Sequence, residues 1–370
     1  MDTINRRGFI KKGVAATAGS LFYTSNACAF PGFLIPQRKQ VLGVALVGLG
    51  YYSTDLLAPA LQQTKHCRLT GIVTGSPEKI PVWQRKYGIA DKNVYNYQTM
   101  SDIANNPDID VIYIVLPTGL HSEYAIKAAH TGKHVWCEKP MARTVAECTA
   151  MIEACRSNKV KLSIGYRMQH EPNTQTIIEW AKTKPYGKIL TVKAEAGYYD
   201  GRSNHWKQKK AMGGGAMYDM GVYPLNAARY SIGEEPVAVT ARHETNRPEI
   251  YHEVDETTYF SLEFPGGARA NCATSFGKGM NELRIDCEKG WYELQPFQSY
   301  SGIRGRTSDG KALNKTIPNQ QAHQMDNDAL SIINDKPMLV PGEEGLRDIR
   351  VVEAVYKAAS TGEKITIGKT

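Results

Sequence analysis

Residues 44–53 read Val-Ala-Leu-Val-Gly-Leu-Gly-Tyr-Tyr-Ser, and this stretch decides the fold of the chain. The continuous apolar run 41–47 is typical of a strand that is buried on both faces of a parallel sheet. Gly48, Gly50 and Ser53 then fill the three small-residue positions of a dinucleotide-binding turn that leads into a helix. We therefore predict a Rossmann domain. The residues of this turn expected at the cofactor are Gly48, Gly50, Tyr51 and Tyr52.

The second predicted strand, residues 68–74, ends without an acidic residue. In domains that bind NAD, an Asp or Glu at this strand end usually accepts hydrogen bonds from the ribose hydroxyls. Here Thr74, Ser76 and Lys79 stand instead, and hydroxyls with an ammonium suit a 2′-phosphate. The pattern favours NADP, although Lys79 could also be an ordinary solvated helix residue.

Two further buried strands are predicted over 109–116 and 135–138, and ligands bind such sheets at the carboxyl ends of the strands. The first of these strands leads into Pro117 and His121. His121 could line the nicotinamide site, or it could cap a helix over 122–131. A last strand over 161–166 closes the domain, which we assign to residues 41–165.

A second informative stretch, residues 213–223, reads Gly-Gly-Gly-Ala-Met-Tyr-Asp-Met-Gly-Val-Tyr. Asp219 and Tyr223 are four residues apart, so a helix would present both side chains on one face. The glycines before this helix predict that a small molecule approaches the backbone N–H groups there. Taken alone, the stretch also fits a flexible loop before an ordinary amphipathic helix.

Together with Glu138-Lys139-Pro140, these motifs resemble the glucose–fructose oxidoreductase and inositol dehydrogenase family. The resemblance covers nearly the whole chain, and it implies an α/β protein: the Rossmann domain, then an α+β domain over 166–370 with a large, mostly antiparallel, open-faced sheet. In the family that open face usually meets a partner subunit, so a homodimer or homotetramer is expected. The second half is predicted to contain strands at 187–199, 236–243, 257–264, 268–276, 283–287 and 291–294, helices at 321–334 and 343–359, and a surface loop at 302–318.

The resemblance also implies roles for individual residues. Lys139 is expected to be catalytic, with a cis bond to Pro140, and Tyr223 to transfer the proton. A free phenol has a pKa near ~10, and a neighbouring ammonium lowers it. Asp219 is expected to hold the substrate hydroxyl or to orient its neighbours. Many relatives carry His where this chain carries Tyr223, which favours the glucose–fructose oxidoreductase subgroup. Further candidates are Glu138 and Arg167 at the cofactor, and Tyr199, His205 and Trp206 at the sugar.

The first residues resemble an export signal. Residues 5–11 read Asn-Arg-Arg-Gly-Phe-Ile-Lys, a twin-arginine pattern, and Ala27-Cys28-Ala29 provides a cleavage site. We therefore predict a signal peptide over 1–29, an N-terminal arm over 30–40 and a periplasmic location. A lipoprotein anchor at Cys28 and a cytoplasmic protein with a disordered start are the alternatives.

Composition argues against a nucleic-acid-binding protein, a membrane-spanning protein and a metalloprotein. The 370 residues carry a formal net charge of +8, with 42% hydrophobic and 22% charged residues, as in ordinary globular proteins. Basic residues are scattered, which argues against a nucleic-acid partner, and no later run reaches the ~18 apolar residues of a membrane span. No Cys or His cluster has metal-ligand spacing, so no metal is expected.

The combination of an export signal with a dinucleotide turn predicts a cofactor that stays bound. No free nicotinamide pool is expected outside the cytoplasm, so one sugar would be oxidised and a second reduced on the same tightly bound NADP. The expected reaction oxidises an aldose to a lactone and reduces a ketose or aldose to an alditol. The alternatives are an ordinary NAD(P)-dependent sugar dehydrogenase or reductase, an NAD-dependent glycoside hydrolase of the same fold, and a non-catalytic sugar sensor.

Overall fold

The structure, a computed structural model, describes residues 39–368. The predicted signal peptide at 1–29, with Cys28, and residues 30–38 of the predicted arm lie outside the described residues. Within 39–368, the molecule contains two β-sheets with helices packed on them. No helix in this part of the chain is long and apolar enough to cross a membrane.

The first sheet is parallel and has the strand order β3-β2-β1-β4-β5-β6. This is the doubly wound order of dinucleotide-binding domains, so the predicted Rossmann fold is confirmed. All six residues of β1 are buried, as its continuous apolar sequence predicts. The strands are β1 (Leu42–Val47), β2 (Cys67–Val73), β3 (Val94–Tyr95), β4 (Val111–Ile114), β5 (His134–Cys137) and β6 (Leu162–Ile164).

The helices of the first domain connect these strands. The turn after β1 enters a π-helix, Tyr52–Leu57, where the sequence predicts an α-helix. The helix after β4 begins at Thr118, four residues before the predicted start. The α-helices are α1 (Ala58–Ala60), α2 (Ile80–Tyr87), α3 (Thr118–His130) and α4 (Val145–Ser157), and 3-10 helices cover Pro77–Lys79, Asp91–Asn93 and Met100–Asn105.

The second sheet has nine strands in the order β14-β13-β12-β11-β7-β10-β9-β8-β15. Every pair is antiparallel except β7 with β10, so the predicted mostly antiparallel sheet is confirmed. The strands are β7 (Ile189–Gly197), β8 (Ala238–Glu244), β9 (Thr257–Glu263), β10 (Arg269–Ser275), β11 (Met280–Cys287), β12 (Gly290–Leu294), β13 (Gly305–Thr307), β14 (Ala312–Leu313) and β15 (Ile365–Thr366).

The prediction that residues 302–318 form a surface loop is wrong in part. Residues of this segment form β13 and β14, which extend the edge of the second sheet, because Thr307 and Leu313 are buried against it. The helices of this half are α5 (Pro172–Thr183), α6 (Val222–Ile232), α7 (Gln320–Ile333) and α8 (Gly342–Thr361), with a π-helix at Met217–Gly221 and 3-10 helices at Arg167–His170, Trp206–Gln208 and Lys210–Met212.

Two late helices join the two sheets. The apolar side chains Ala322, Met325 and Ala329 of α7 belong to the same buried cluster as β1, so this helix returns to the first sheet. The N-terminal part of α8 lies beside β6 and its body packs on β8. Gly345 permits this approach, since a Cβ there would lie 2.8 Å from Met141.

A buried ion cluster links α6 to α8. Arg229 is 4% exposed and donates to Glu235 at 2.7 Å, to Glu344 at 2.9 Å and also to Asp348. Glu344 and Asp348 lie in the first turns of α8. A buried carboxylate without its partner is costly, so this arginine is expected to be important for stability.

Replacing Arg229 with Met tests this cluster. We expect Arg229→Met to lower the free energy of unfolding by about 3–5 kcal/mol, because it leaves buried carboxylates uncompensated. Denaturant unfolding measures the change. The matched control is Arg269→Met, whose guanidinium is 71% exposed and 3.6 Å from Glu263, and which should change stability little. Equal effects of the two variants would contradict the assignment.

Candidate active site

The glycine turn after β1 leaves room for a ligand. Gly48 has φ of +92°, and a Cβ there would lie 2.4 Å from the Val115 carbonyl oxygen. A Cβ on Gly50 would have nothing within 4 Å, so the backbone is open where a pyrophosphate would approach. Ser53 is fully buried and its hydroxyl donates to the Gly48 carbonyl at 2.6 Å, which closes the turn from within. Of the two tyrosines predicted here, Tyr51 is 67% exposed and lies directly before the π-helix, whose first residue is Tyr52.

The end of β2 lies beside this turn. Thr74 is buried, and its hydroxyl oxygen accepts a hydrogen bond from the Ser76 backbone N–H at 3.0 Å. The Lys79 ammonium donates to the Leu49 carbonyl at 2.8 Å and so lies against the glycine turn. The three predicted 2′-phosphate residues therefore converge at one end of the turn, where two donors of Lys79 remain for a ligand.

On the same edge of the sheet, two strands along from β1, Glu138 and Lys139 follow β5. The Lys139–Pro140 peptide is cis, as predicted. Glu138 accepts from the Tyr113 hydroxyl at 2.7 Å, and burial raises the pKa of its carboxyl. A Cβ on Gly165 would lie 2.7 Å from the Glu138 carboxyl, so only glycine leaves room for that side chain.

His121 lies in the first turn of α3, directly beneath this loop. Its Nδ1 is 2.8 Å from the Pro140 carbonyl and its Nε2 is 2.8 Å from the Leu116 carbonyl. The ring is buried, and burial lowers its pKa. The structure therefore places His121 as a link between the end of β4 and the cis-proline loop, and Pro117 as the residue that begins α3. Because α3 already begins at Thr118, His121 does not cap it.

Lys139, Asp219 and Tyr223 meet between the two sheets. The Lys139 ammonium donates to the Asp219 carbonyl at 2.7 Å and lies 3.9 Å from the Asp219 carboxylate. It also lies 4.6 Å from the centre of the Tyr223 ring. The Tyr223 hydroxyl accepts from Arg167 at 2.9 Å. The three predicted catalytic side chains and Arg167 thus form one cluster, although they come from three separate segments of the chain.

The charges in this cluster act on Tyr223 and Asp219. Burial alone would raise the pKa of the Tyr223 phenol, but the positive charges of Arg167 and Lys139 outweigh it and hold the pKa below its ordinary value. Burial also opposes ionisation of Asp219, yet Lys207 and Lys139 lower its pKa to about 2. The site therefore contains an ionised carboxylate and a phenol whose pKa is lower than that of a free tyrosine.

The glycines 213–215 have a different role from the one predicted. A Cβ on Gly214 would lie 2.3 Å from the Lys207 carbonyl oxygen, and one on Gly215 would lie 2.2 Å from Asp255. The N–H groups of Gly215 and Met217 already donate to Lys207 and Asp255. The expectation of a small molecule at this helix entrance is wrong, because protein groups fill the space and take these donors.

The three side chains predicted to bind the sugar do not lie together. Tyr199 is 67% exposed and its ring lies 4.6 Å from the guanidinium of Arg247, so the structure does not bring it to Asp219. His205 and Trp206 both contact Lys207. The His205 Nδ1 accepts from the Lys207 backbone N–H at 3.3 Å, and the Trp206 ring lies 5.8 Å from the Lys207 ammonium.

Three residues at the site are not predicted from the sequence. Tyr198 and Lys207 bind the Asp219 carboxylate at 3.1 and 2.7 Å. Strand alternation could have found Tyr198, since it shares a face with the buried Ala194 and Ala196 of β7. Tyr300, whose ring lies 4.6 Å from the Arg167 guanidinium and 6.2 Å from the Tyr52 ring, comes from a loop with no periodic signal.

Comparison with known proteins gives matches over both domains. A profile described as the oxidoreductase family, NAD-binding Rossmann fold, matches residues 42–166, and one described as the GFO/IDH/MocA C-terminal domain matches residues 174–293. Among solved structures, aldose-aldose oxidoreductase from Caulobacter crescentus, complexed with glycerol, is 39% identical with a TM-score of 0.85, over 88% of this chain and 99% of that one.

Two curated proteins are similar over most of their length. D-xylose 1-dehydrogenase (NADP(+)) of Haloarcula marismortui is 27% identical over 333 residues, which are 87% of this chain and 92% of that protein. D-glucoside 3-dehydrogenase of Escherichia coli (strain K12) is 24% identical over 349 residues, which are 88% of this chain and 97% of that protein.

The arrangement around Tyr223 predicts a specific pH dependence. If the phenolate accepts a proton during oxidation, the reaction is lost as pH falls through the pKa of Tyr223. Arg167→Met removes a cation that lowers this pKa, so the pH of half-maximal single-turnover rate is expected to move upward. Stopped-flow absorbance of reduced nicotinamide measures that rate. Arg269→Met removes an exposed arginine as the control, and an acid limb at the same pH in Arg167→Met and the native protein would contradict the assignment.

Proposed function

The chain belongs to the GFO/IDH/MocA oxidoreductase family, and on this premise we propose that it is an exported, NADP-dependent sugar oxidoreductase. It oxidises one aldose to a lactone and reduces a second sugar to an alditol on the same bound cofactor. The observation that carries the proposal is the buried Tyr223 phenol, which lies between the cations of Lys139 and Arg167 beside the Asp219 carboxylate.

The residues of this cluster have distinct roles in the oxidation. Bound NADP would supply the hydride chemistry, as acceptor for C1 of the aldose and then as donor for the carbonyl carbon of the second sugar. The Tyr223 phenolate takes the proton of the C1 hydroxyl, and Lys139 donates a hydrogen bond to the same oxygen. Loss of one hydride and one proton converts the aldose to the lactone. In the second half, the Tyr223 hydroxyl returns its proton to the carbonyl oxygen that becomes the alditol hydroxyl.

The turn residues fit the cofactor. The open space at Gly50 suits the pyrophosphate, and the N-terminus of the π-helix that follows would favour its negative charge. Thr74, Ser76 and Lys79 would hold the 2′-phosphate, and this supports NADP over NAD. Glu138, Lys139 and Arg167 would lie at the nicotinamide end, at the carboxyl end of the parallel strands.

Export and cofactor retention belong to the same proposal. The twin-arginine pattern at 5–11 supports transport of a folded protein to the periplasm, and a cofactor held from folding onward would then need no external pool. The chain's likeness to an aldose-aldose oxidoreductase supports a second sugar as the hydride acceptor. We further propose a homodimer or homotetramer through the face of the second sheet that carries Lys193, Glu195 and Glu282, where the Lys193 ammonium pairs with both carboxylates.

An ordinary NADP-dependent sugar dehydrogenase is the second candidate. The similarity to a D-xylose 1-dehydrogenase (NADP(+)) supports it. In that case the same residues would oxidise the sugar, but NADPH would leave after each turnover and the reaction would require added NADP. The two candidates therefore differ in where the cofactor stays and not in the chemistry at Tyr223.

Mass spectrometry of nucleotide released from the denatured, exported protein tests the proposal. We expect about one NADP(H) per chain, and turnover of an aldose with a second sugar without added nucleotide. Protein isolated without nucleotide that turns over only with added NADP would instead support the dehydrogenase. Release of NAD(H) would contradict the assignment of Thr74, Ser76 and Lys79 to a 2′-phosphate.

A further inference from the structure

Lys207 holds one oxygen of the Asp219 carboxylate and leaves the other oxygen available. Its ammonium donates to Oδ2 at 2.7 Å and to the Tyr198 hydroxyl at 3.0 Å. The Tyr198 hydroxyl in turn donates to the same Oδ2 at 3.1 Å. The Lys139 ammonium lies 3.9 Å from Oδ1, which is too far for a hydrogen bond, and within residues 39–368 the structure gives Oδ1 no hydrogen-bond donor. Asp219 Oδ1 can therefore accept a further hydrogen bond.

Lys207 likewise has a donor to spare. An ammonium has three N–H groups, and two of them are used by Asp219 and Tyr198. Within residues 39–368, the structure gives its third N–H no acceptor. The Lys207 side chain is 20% exposed and that of Asp219 is 13% exposed, so solvent, and hence a ligand, reaches this pair. A free donor and a free acceptor next to one another are the requirements for binding a hydroxyl.

The backbone fixes Lys207 at this place. Its carbonyl accepts from the Gly215 N–H at 2.8 Å, and the absence of a side chain on Gly214 lets the two segments touch. The 3-10 helix Trp206–Gln208 that carries Lys207 is capped by His205. The glycine run thus holds the Lys207 segment against the helix that carries Asp219 and Tyr223.

We propose that Lys207 and Oδ1 of Asp219 bind the hydroxyl at C2 of the aldose. The proposal rests on the proposed function, because it takes C1 as the carbon that is oxidised at Lys139 and Tyr223. Lys139 and Lys207 approach opposite oxygens of one carboxylate. A sugar whose C1 oxygen contacts Lys139 therefore presents its neighbouring substituents to Asp219 Oδ1 and Lys207. In a pyranose, C1 is bonded to the ring oxygen and to C2, so the adjacent hydroxyl is the one at C2.

Paired kinetics with D-glucose and 2-deoxy-D-glucose test the proposal. In the native protein, loss of the C2 hydroxyl should lower kcat/KM, because it leaves a charged donor and acceptor unpaired. Lys207→Met should lower kcat/KM for D-glucose by about 10- to 150-fold and change that for 2-deoxy-D-glucose little. The ratio of the kcat/KM values for the two sugars should therefore fall towards one.

The matched control is Lys209→Met. Lys209 lies two residues away on the same loop, is 41% exposed and pairs with Glu253 at 3.3 Å. This variant should retain the native discrimination. Equal losses for both sugars in Lys207→Met, or an unchanged ratio, would overturn the proposal, since a purely structural lysine would affect both sugars alike.

Two further measurements keep the proposal testable if the kinetics fail. If the native protein oxidises no aldose, these two sugars included, the proposed function fails, and equilibrium binding followed by tryptophan fluorescence then decides the role of Lys207. The proposal is supported if the native protein binds D-glucose more tightly than 2-deoxy-D-glucose and Lys207→Met does not. Equal binding of the two sugars by the native protein, or an unchanged preference in the variant, overturns the proposal. If Lys207→Met does not fold, Tyr198→Phe, which removes only the hydroxyl that holds Lys207, should reduce the discrimination by about 2- to 10-fold. An unchanged ratio there would overturn the proposal.

Discussion

A buried phenol held between two cations is the interaction on which the rest of this site depends. Tyr223 is 8% exposed, and burial alone would keep its proton in place. Lys139 faces its ring and Arg167 donates to its oxygen, and these two cations lower the pKa of the phenol despite the loss of solvent. Arg167 is buried and the Lys139 side chain is 12% exposed, and a cation with so little solvent needs an anionic partner. The phenol and the two cations therefore stabilise one another's charged forms.

The fold brings these groups together from separate segments. Lys139 follows a strand of the first sheet, Arg167 follows the last strand of that sheet, and Tyr223 stands in a helix on the second sheet. The cis-proline loop, tied down by His121, sets the position of Lys139. The late helices α7 and α8 pack back towards the first sheet and hold the two layers together. The candidate site is thus a product of the contact between the domains.

Much of this could be predicted from local sequence. The parallel sheet follows from continuous apolar strands and the glycine turn, and the order of its strands agrees with that motif. The helical spacing of four residues predicts that Asp219 and Tyr223 share a face, and the family resemblance implies that Lys139 lies with them. The assignment of roles to these residues stays a prediction, because no ligand contact tests it.

Other features depend on tertiary contacts that a local pattern does not encode. Gly214 and Gly215 fit an anion-binding helix entrance by sequence, but the neighbouring backbone of Lys207 and the side chain of Asp255 occupy that space. Lys207 lies in an irregular segment, where no periodicity assigns a direction to a side chain. The short strands β13 and β14 lie in a Gly- and Lys-rich segment, and they form because the edge of the second sheet offers them a partner.

The central claim is that one bound cofactor carries the hydride from sugar to sugar at Tyr223. The most direct test supplies an aldose with deuterium at C1, an unlabelled second sugar and an excess of unlabelled NADPH in solution, and follows the label in the alditol by mass spectrometry. The account predicts an alditol that carries the deuterium undiluted with the native protein, and none with Tyr223→Phe. An alditol without deuterium, or label diluted into the dissolved cofactor, would contradict it.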